Sequence, residues 1–388
     1  MIFTNPDRRR TNTMFTKMAE EPRSYVGRIE SVERHSERPG SRYTIIIDAA
    51  DVRIDLKAAK SDLNRERGNL AILRVMTTAD KFARMAQLAS AADGDGAENL
   101  AGRWVELRLV PPGTKSGPRA QVCLLGDTGY EDIVVYTVAE IIEFGFNPLE
   151  RPPSGRTHRS TEQLVTALYF EGLSHTARQL LGLLHNSAAL HKAMSSAQIA
   201  QVIVHDVGHA NFTTLLDVAG RPVLHFDAGW PLGFNRKTCP PKALSINFAP
   251  IVVLSHWDWD HLHGFHKWQQ VRDAFWFVPE QHLGPGAKLV SDYLEAKGRL
   301  TVYAHQPGFQ QTYGDIRVIG ADPSLITDKS KGATIPGFPW SSTLRRVVVF
   351  FCQGTRTTWL RDWNFLRPAG RLPPWRRDFR CTSLGGQG

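Results

Sequence analysis

Apolar and polar positions alternate in short runs through the first third of the chain, and the period changes twice after it. Between Ser24 and Lys57, the runs Tyr25 to Val32 and Tyr43 to Ile47 read as strands, with a turn at Pro39-Gly40 between them. Trp104 to Val110 and Arg119 to Leu125 predict a hairpin closed by Pro111-Pro112-Gly113. Leu63 to Ala92 carries helical spacing, interrupted at Gly68. These runs predict a small α+β module over residues 24–146, after a disordered start at 1–23. It holds no phosphate loop and no cluster of His, Cys or carboxylates, so a docking or stabilising role is expected of it. The Pro-, Ser- and Arg-rich stretch 147–160 reads as a linker.

From Thr161 to Ser196, Leu164, Leu168, Leu173, Leu180, Leu181, Leu184 and Leu190 have a spacing that suits two helices broken near Gly172 or Ser174. His175, His185 and His191 lie on them as surface or hydrogen-bonded residues. The period then drops to two. Gln201 to Val207 and Arg221 to Phe226 read as strands bracketing a turn at Asp217 to Gly220. Ile251 to Leu254 is wholly apolar and predicts a buried strand. Asp273 to Pro279, Leu300 to Tyr303, Ile316 to Ile319 and Arg346 to Phe351 read as further strands. Ala287 to Lys297 reads as a helix ended by Gly298. This rhythm predicts an α/β domain over 161–351, a two-sheet sandwich flanked by helices.

At 388 residues and 42% hydrophobic, the chain is long and apolar enough for two domains, or one large domain with an extension, and is not a disordered protein. It has no run of about twenty apolar residues, so no membrane-spanning helix is expected. Arg8-Arg9-Arg10 is not followed by an apolar stretch, which argues against secretion and for the cytoplasm. Cys123, Cys239, Cys352 and Cys381 lie far apart, fitting a reducing compartment and neither a disulfide framework nor a cysteine zinc site. The net charge of +9 invites a nucleic-acid partner. Seven arginines against two aspartates after Phe351 supply +5 of it, so nucleic acid is weakly supported and a mixed-charge surface is favoured.

The chemistry concentrates at His256-Trp257-Asp258-Trp259-Asp260-His261, directly after the buried strand and Ser255. Two imidazoles and two carboxylates within six positions suit a hydrolytic divalent-metal site. While the chain stays extended, His256, Asp258 and Asp260 point to one side, and His261 follows as the chain turns toward a helix. Trp257 and Trp259 then face away and stiffen the loop by packing. His263 and His266 read as supporting residues. Gly208 and Gly229 read as strand ends needing unusual dihedrals or close approach. Asp206 and Asp227 read either as acceptors that orient the ligand loop or as turn residues.

The six-residue stretch resembles the H-x-H-x-D-H signature of the metallo-β-lactamase superfamily, with Asp258 where that family usually has its second His. Val204-His205-Asp206-Val207-Gly208-His209-Ala210-Asn211-Phe212 and Val223-Leu224-His225-Phe226-Asp227-Ala228-Gly229 resemble its opening D-V-G-Q-G-D and L-I-D-A-G strands. They are most similar to those in the nuclease-like domain of bacterial DNA-uptake channel proteins. The likeness covers about residues 199–351 and implies a four-layer αβ/βα sandwich. It also implies a first metal at His256 and Asp258, a second at Asp260 and His261, and a metal-activated attacking water that Asp260 contacts. Zinc is the metal expected first. The carboxylate of Asp258 hardens the site toward manganese or iron.

The same likeness implies a G-D-x-D aspartate after the strand ending at Phe351, and a late His. Cys352-Gln353-Gly354-Thr355-Arg356-Thr357-Thr358-Trp359 supplies neither, and no His follows. Read one nucleotide earlier, with free choice among synonymous codons, the codons of Phe351 to Trp359 encode Leu-Pro-Gly-Asp-Ala-Asp-Tyr. The expected motif thus reappears at the expected place. We read residues 352–388 as an out-of-frame tail after a single-nucleotide deletion, and the chain as truncated in function. The sequence therefore predicts a metal-dependent hydrolase of a phosphodiester or related small-molecule or nucleotide-type ester, impaired in this polypeptide. The alternatives are a diiron-type redox protein, given the acidic Asp258, or an inactive interaction module of the same fold.

Overall fold

The computed structural model describes residues 16–35, 42–61, 67–86, 100–145, 147–149, 158–180, 188–240, 244, 246–303, 310–320 and 347–351. The described chain is mixed α/β and mostly sheet. Its first part begins with the short β1 (Thr16–Met18). The strands β2 (Arg23–Arg34), β3 (Arg42–Asp51), β4 (Leu70–Thr78), β5 (Trp104–Val110), β6 (Arg119–Gly126) and β7 (Gly129–Gly145) then close into a barrel. Around the barrel the order is β7-β5-β2-β3-β4-β6, and β6 pairs back to β7. Closure depends on the length of β7. Its first half pairs β6 and its second half pairs β5, so one strand joins both edges. Two short helices, α1 (Leu56–Ser61) and α2 (Ala79–Ala86), interrupt the strands.

The barrel strands are buried on both faces. Tyr25, Ile29, Ile47, Leu73 and Leu107 fill the interior. Val26, Ile72, Trp104, Tyr130 and Ile142 point outward into a core shared with the second half of the chain. The double burial explains why the alternation in these segments is interrupted by consecutive apolar residues.

The second half opens with α3 (Arg159–Leu180) and α4 (Ala188–Ser195). A six-stranded sheet follows in the order β13-β12-β11-β10-β9-β8. The strands β8 (Ile199–Val204), β9 (Thr213–Asp217) and β10 (Pro222–Phe226) form an antiparallel meander. From β10, the strands β11 (Ile251–Val253), β12 (Phe275–Pro279) and β13 (Leu300–Tyr303) run parallel. Parallel neighbours need crossovers. Residues 227–250, with a 3-10 turn at Gly233–Thr238, cross from β10 to β11; α5 (Trp259–Leu262), α6 (Gly264–Lys267) and α7 (Gln269–Arg272) cross from β11 to β12, and α8 (Pro285–Ala296) from β12 to β13. A three-stranded sheet of β14 (Gln310–Tyr313), β15 (Ile316–Gly320) and β16 (Val347–Phe351) completes the described chain. Tyr313, Ile316 and Val318 pack with Val253, Phe277 and Tyr303 of the larger sheet. No described helix is long and apolar enough to cross a membrane.

Several expectations need correction. β5 and β6 form where predicted but do not pair with each other; each pairs β7, so Pro111-Pro112-Gly113 joins barrel neighbours once removed. Of the helix expected over Leu63 to Ala92, the described residues keep α2, while Leu70 to Thr78 form β4, because Leu70, Ile72 and Leu73 are buried on opposite faces of a strand. Order begins before residue 24, since Thr16 to Met18 pairs with Ile133 to Val135. α3 runs unbroken through Gly172 and Ser174. The Pro39-Gly40 turn, His185, most of the linker, and Cys352 to Gly388 lie outside the described residues.

Candidate metal centre

β11 is three fully buried residues at the centre of parallel strands, and the chain leaves its carboxyl end at Leu254. Ligand groups collect at such ends in open parallel sheets. The chain stays extended only as far as Asp258 (φ −77°, ψ 146°), and α5 then starts at Trp259. The early helical turn changes which side chains converge. One ligand atom each of His256, Asp260 and His261 lie within 4.8 Å of one another. The His256 and His261 rings meet at a centroid distance of 3.8 Å. Asp258 stands beside this trio, with its Oδ2 3.2 Å from His256 Nε2. The grouping is therefore His256 with Asp260 and His261, rather than the two pairs that the resemblance implies. Trp257 and Trp259 are both 1% exposed and serve packing: Trp257 Nε1 donates to the Pro279 carbonyl at 2.9 Å, and Trp259 meets Tyr130 edge-on at 4.6 Å.

Asp227 organises the loop. Its Oδ1 accepts the Ser255 N–H at 2.8 Å; its Oδ2 accepts the Ser255 hydroxyl at 3.0 Å and lies 2.7 Å from His261 Nδ1. Ser255 Oγ also sits 2.9 Å from His256 Nδ1, so both imidazoles are oriented from one buried hub. Asp227 is the one non-glycine residue with positive φ (56°) among the described residues, a strained geometry that aims its carboxylate. With His261 Nδ1–H given to Asp227, Nε2 is left toward Asn211 Nδ2 at 2.9 Å and Asp260 Oδ2 at 3.6 Å. Metal-binding histidines show this arrangement, with a carboxylate fixing the far nitrogen. Burial opposes a charge on His261. The carboxylates of Asp227, Asp260 and Asp258 outweigh burial and raise its pKa to about 9, so the field here favours positive charge. Burial would also raise Asp258, but His256, His261 and Arg28 hold its carboxyl below the ordinary range.

Asp206 plays no part in this hub. It is exposed, and its Oδ1 accepts the Gly208 N–H at 3.3 Å, so it shapes its own turn. Gly208 there has a φ of 68°, and Gly229 lets the Asp260 carbonyl pass where a Cβ would sit. Asn211 is the residue that the sequence reading left without a role. Its backbone N–H donates to the Asp260 carbonyl, its carbonyl accepts from Gly229, and its side chain meets His261. Its place at the end of the D-V-G-H-A-N segment was the available signal.

The barrel forms one wall of the centre, which composition gave no reason to expect. Asp48 on β3 accepts the N–H groups of Gly286 (2.8 Å) and Ala287 (2.9 Å) at the start of α8. His263 Nε2 accepts the Tyr130 N–H at 2.8 Å and its Nδ1 donates to the Trp230 carbonyl at 3.0 Å, tying β7 to the ligand loop. Lys267 bonds Glu131 at 2.6 Å. The charges of Arg28 and Glu30 on β2 act directly on Asp258, and Glu30 also acts on Asp260. No known family model matches the chain, and no curated protein matches its sequence.

Proposed function

We propose that this chain is a divalent-metal hydrolase of the metallo-β-lactamase type, acting on a phosphodiester or related ester of small-molecule or nucleotide kind. The observation that carries the reading is the convergence of His256, Asp260 and His261 at the end of a buried parallel strand, with His261 backed by Asp227. Two imidazoles and one carboxylate fit zinc, and the nearby Asp258 suits manganese or iron as well. The four-layer sandwich is supported by the parallel strands β10 to β13, their helical crossovers, and the third sheet packed against them.

His256, Asp260 and His261 would hold the cation. When bound, a divalent cation supplies Lewis acidity and a water of lowered pKa at neutral pH. Asp260, whose side chain is about one-third exposed, is the carboxylate placed to accept a proton at the open side. Asp227 and Ser255 keep both imidazoles in register. Asn211 positions the backbone of Asp260 from behind.

The test is metal content of the purified chain together with hydrolysis of bis(p-nitrophenyl) phosphate in zinc or manganese. Stoichiometric metal with turnover, both lost in His256→Ala and Asp260→Ala, is the expected result. No bound metal, or full turnover in Asp260→Ala, overturns it. Iron with oxygen consumption and no hydrolysis would instead select the diiron reading.

A further inference from the structure

The outward face of β2 carries an arginine, Arg28, whose Nε is buried and has no hydrogen-bond partner among the described residues. On this strand Tyr25 and Ile29 enter the barrel core, so Val26 and Arg28 face the second half of the chain. Arg28 lies opposite Asp48 on one side and Trp104 on the other. Asp48 reaches the start of α8, and the Trp104 ring sits 6.0 Å from that of His282 in the preceding loop. Ile29 pairs with Ile47 and Ser31 with Ile46, which leaves Glu30 as the extra residue of a bulge. Bulges of this kind re-aim side chains beside functional sites.

Arg28 is therefore fixed at the seam between barrel and metal loop. Its charge interacts with Glu30, Asp258 and Asp48, yet no ion pair joins it to a described residue, and its Nε is buried with no hydrogen-bond partner. His282 Nε2 is likewise buried and unpartnered, and it feels the charge of Arg28. Buried donors without partners are costly and rare in folded proteins. A planar guanidinium held open beside a metal loop matches one ligand chemistry above others, an oxyanion with two oxygens to offer.

We propose that Arg28 is the anion-recognising residue of a composite site, in which the barrel grips the phosphoryl oxygens of an ester presented to His256, Asp260 and His261. This deepens the hydrolase reading and rests on it. The amino-terminal barrel then carries substrate recognition, and the α/β half carries the metal. Asp258, whose carboxyl is held below the ordinary range, repels an anion, so binding is expected to strengthen when a divalent cation offsets it.

The test titrates dimethyl phosphate into the full chain loaded with zinc, with metal stoichiometry measured on the same samples. Arg28→Gln should weaken phosphate affinity by about 10- to 100-fold, the value of a charge-assisted hydrogen-bond pair, with metal stoichiometry unchanged. Wild-type phosphate affinity in that variant overturns the proposal, as does no phosphate binding by the metal-loaded wild type. Should Arg28→Gln fail to fold, Arg28→Lys keeps the charge and loses the fork: weakened phosphate affinity is then expected, and unchanged affinity overturns the idea. A wild type that holds no metal at all sinks the hydrolase reading instead, so the two failures are told apart.

Discussion

His261 gives its Nδ1–H to Asp227 across 2.7 Å, and Asp227 adopts a left-handed φ of 56° to receive it. Such backbone strain costs about 1–3 kcal/mol and persists where the surrounding structure holds it in place. Asp227→Asn preserves size but removes the charge that fixes the ring. Metal affinity should fall by about 10- to 100-fold, the usual effect of losing a ligand's supporting carboxylate. Competition against a chelating dye measures this, and undiminished affinity would show the contact to be incidental.

His263 latches the barrel to the ligand loop, accepting from Tyr130 N and donating to the Trp230 carbonyl. It is fully buried, and Gly129 leaves room for its ring where a Cβ would collide. His263→Ala strands the Tyr130 N–H and opens a cavity, so a loss of about 2–4 kcal/mol in unfolding free energy is expected. Gly129→Ala should also destabilise, by clash rather than by vacancy. Urea denaturation reads both; a change within about 0.5 kcal/mol in each would mean that the halves are joined elsewhere.

His225 makes the fold acid-sensitive. Ala249 N–H donates to its Nε2 at 2.8 Å, so the neutral ring carries its proton on Nδ1, toward Thr214 Oγ1 at 2.9 Å. Thr214 Oγ1 lies 2.7 Å from His205 Nε2, which extends the chain of bonds. Burial first, and the neighbouring His205 second, pull the His225 pKa from 6.5 down to about 3. Because the folded value is the lower one, the unfolded chain takes up the proton first as pH falls. The contribution is whole above pH 6.5 and erodes between about 6.5 and 3, by up to about 1.4 kcal/mol per pH unit. Urea unfolding from pH 7 to 4.5 should show this slope in the wild type and a shallower one in His225→Gln. Equal slopes would remove His225 as the cause.

Strand positions were legible where one element's own residues decide its state. β5 and β13 match their predicted runs residue for residue, and β3 and β12 fall within a few residues of theirs. Partners were not legible, because pairing depends on β7, a 17-residue strand whose Glu131, Asp132, Glu140 and Glu143 broke its apolar pattern. The ligand loop was visible in its residue types. Its grouping was not, since α5 begins at Trp259, two residues before the turn expected at His261, and brings Asp260 and His261 onto His256. Arg28 was hidden for a further reason. A single arginine in a strand looks like an exposed residue until the docked α/β half buries it.

β16 runs parallel to β15, with Val347 opposite Ile316 and Phe351 opposite Gly320, so the strand that the proposed hydrolase reading makes the carrier of a further ligand is paired up to Phe351, where the sequence changes character. From Cys352 onward the chain, outside the described residues, offers no His and no G-D-x-D motif. Three donors at His256, Asp260 and His261 are fewer than a closed zinc site uses, and a missing carboxylate leaves a second cation without a bridge. Restoring the frame after Phe351, to read Leu-Pro-Gly-Asp-Ala-Asp-Tyr, should therefore raise both bound metal per chain and phosphodiester turnover. Substituting the first restored aspartate by alanine should return metal content to that of the present chain. If the repaired protein binds no more metal than the present one, the deletion account fails, and the natural sequence after Phe351 is the one printed.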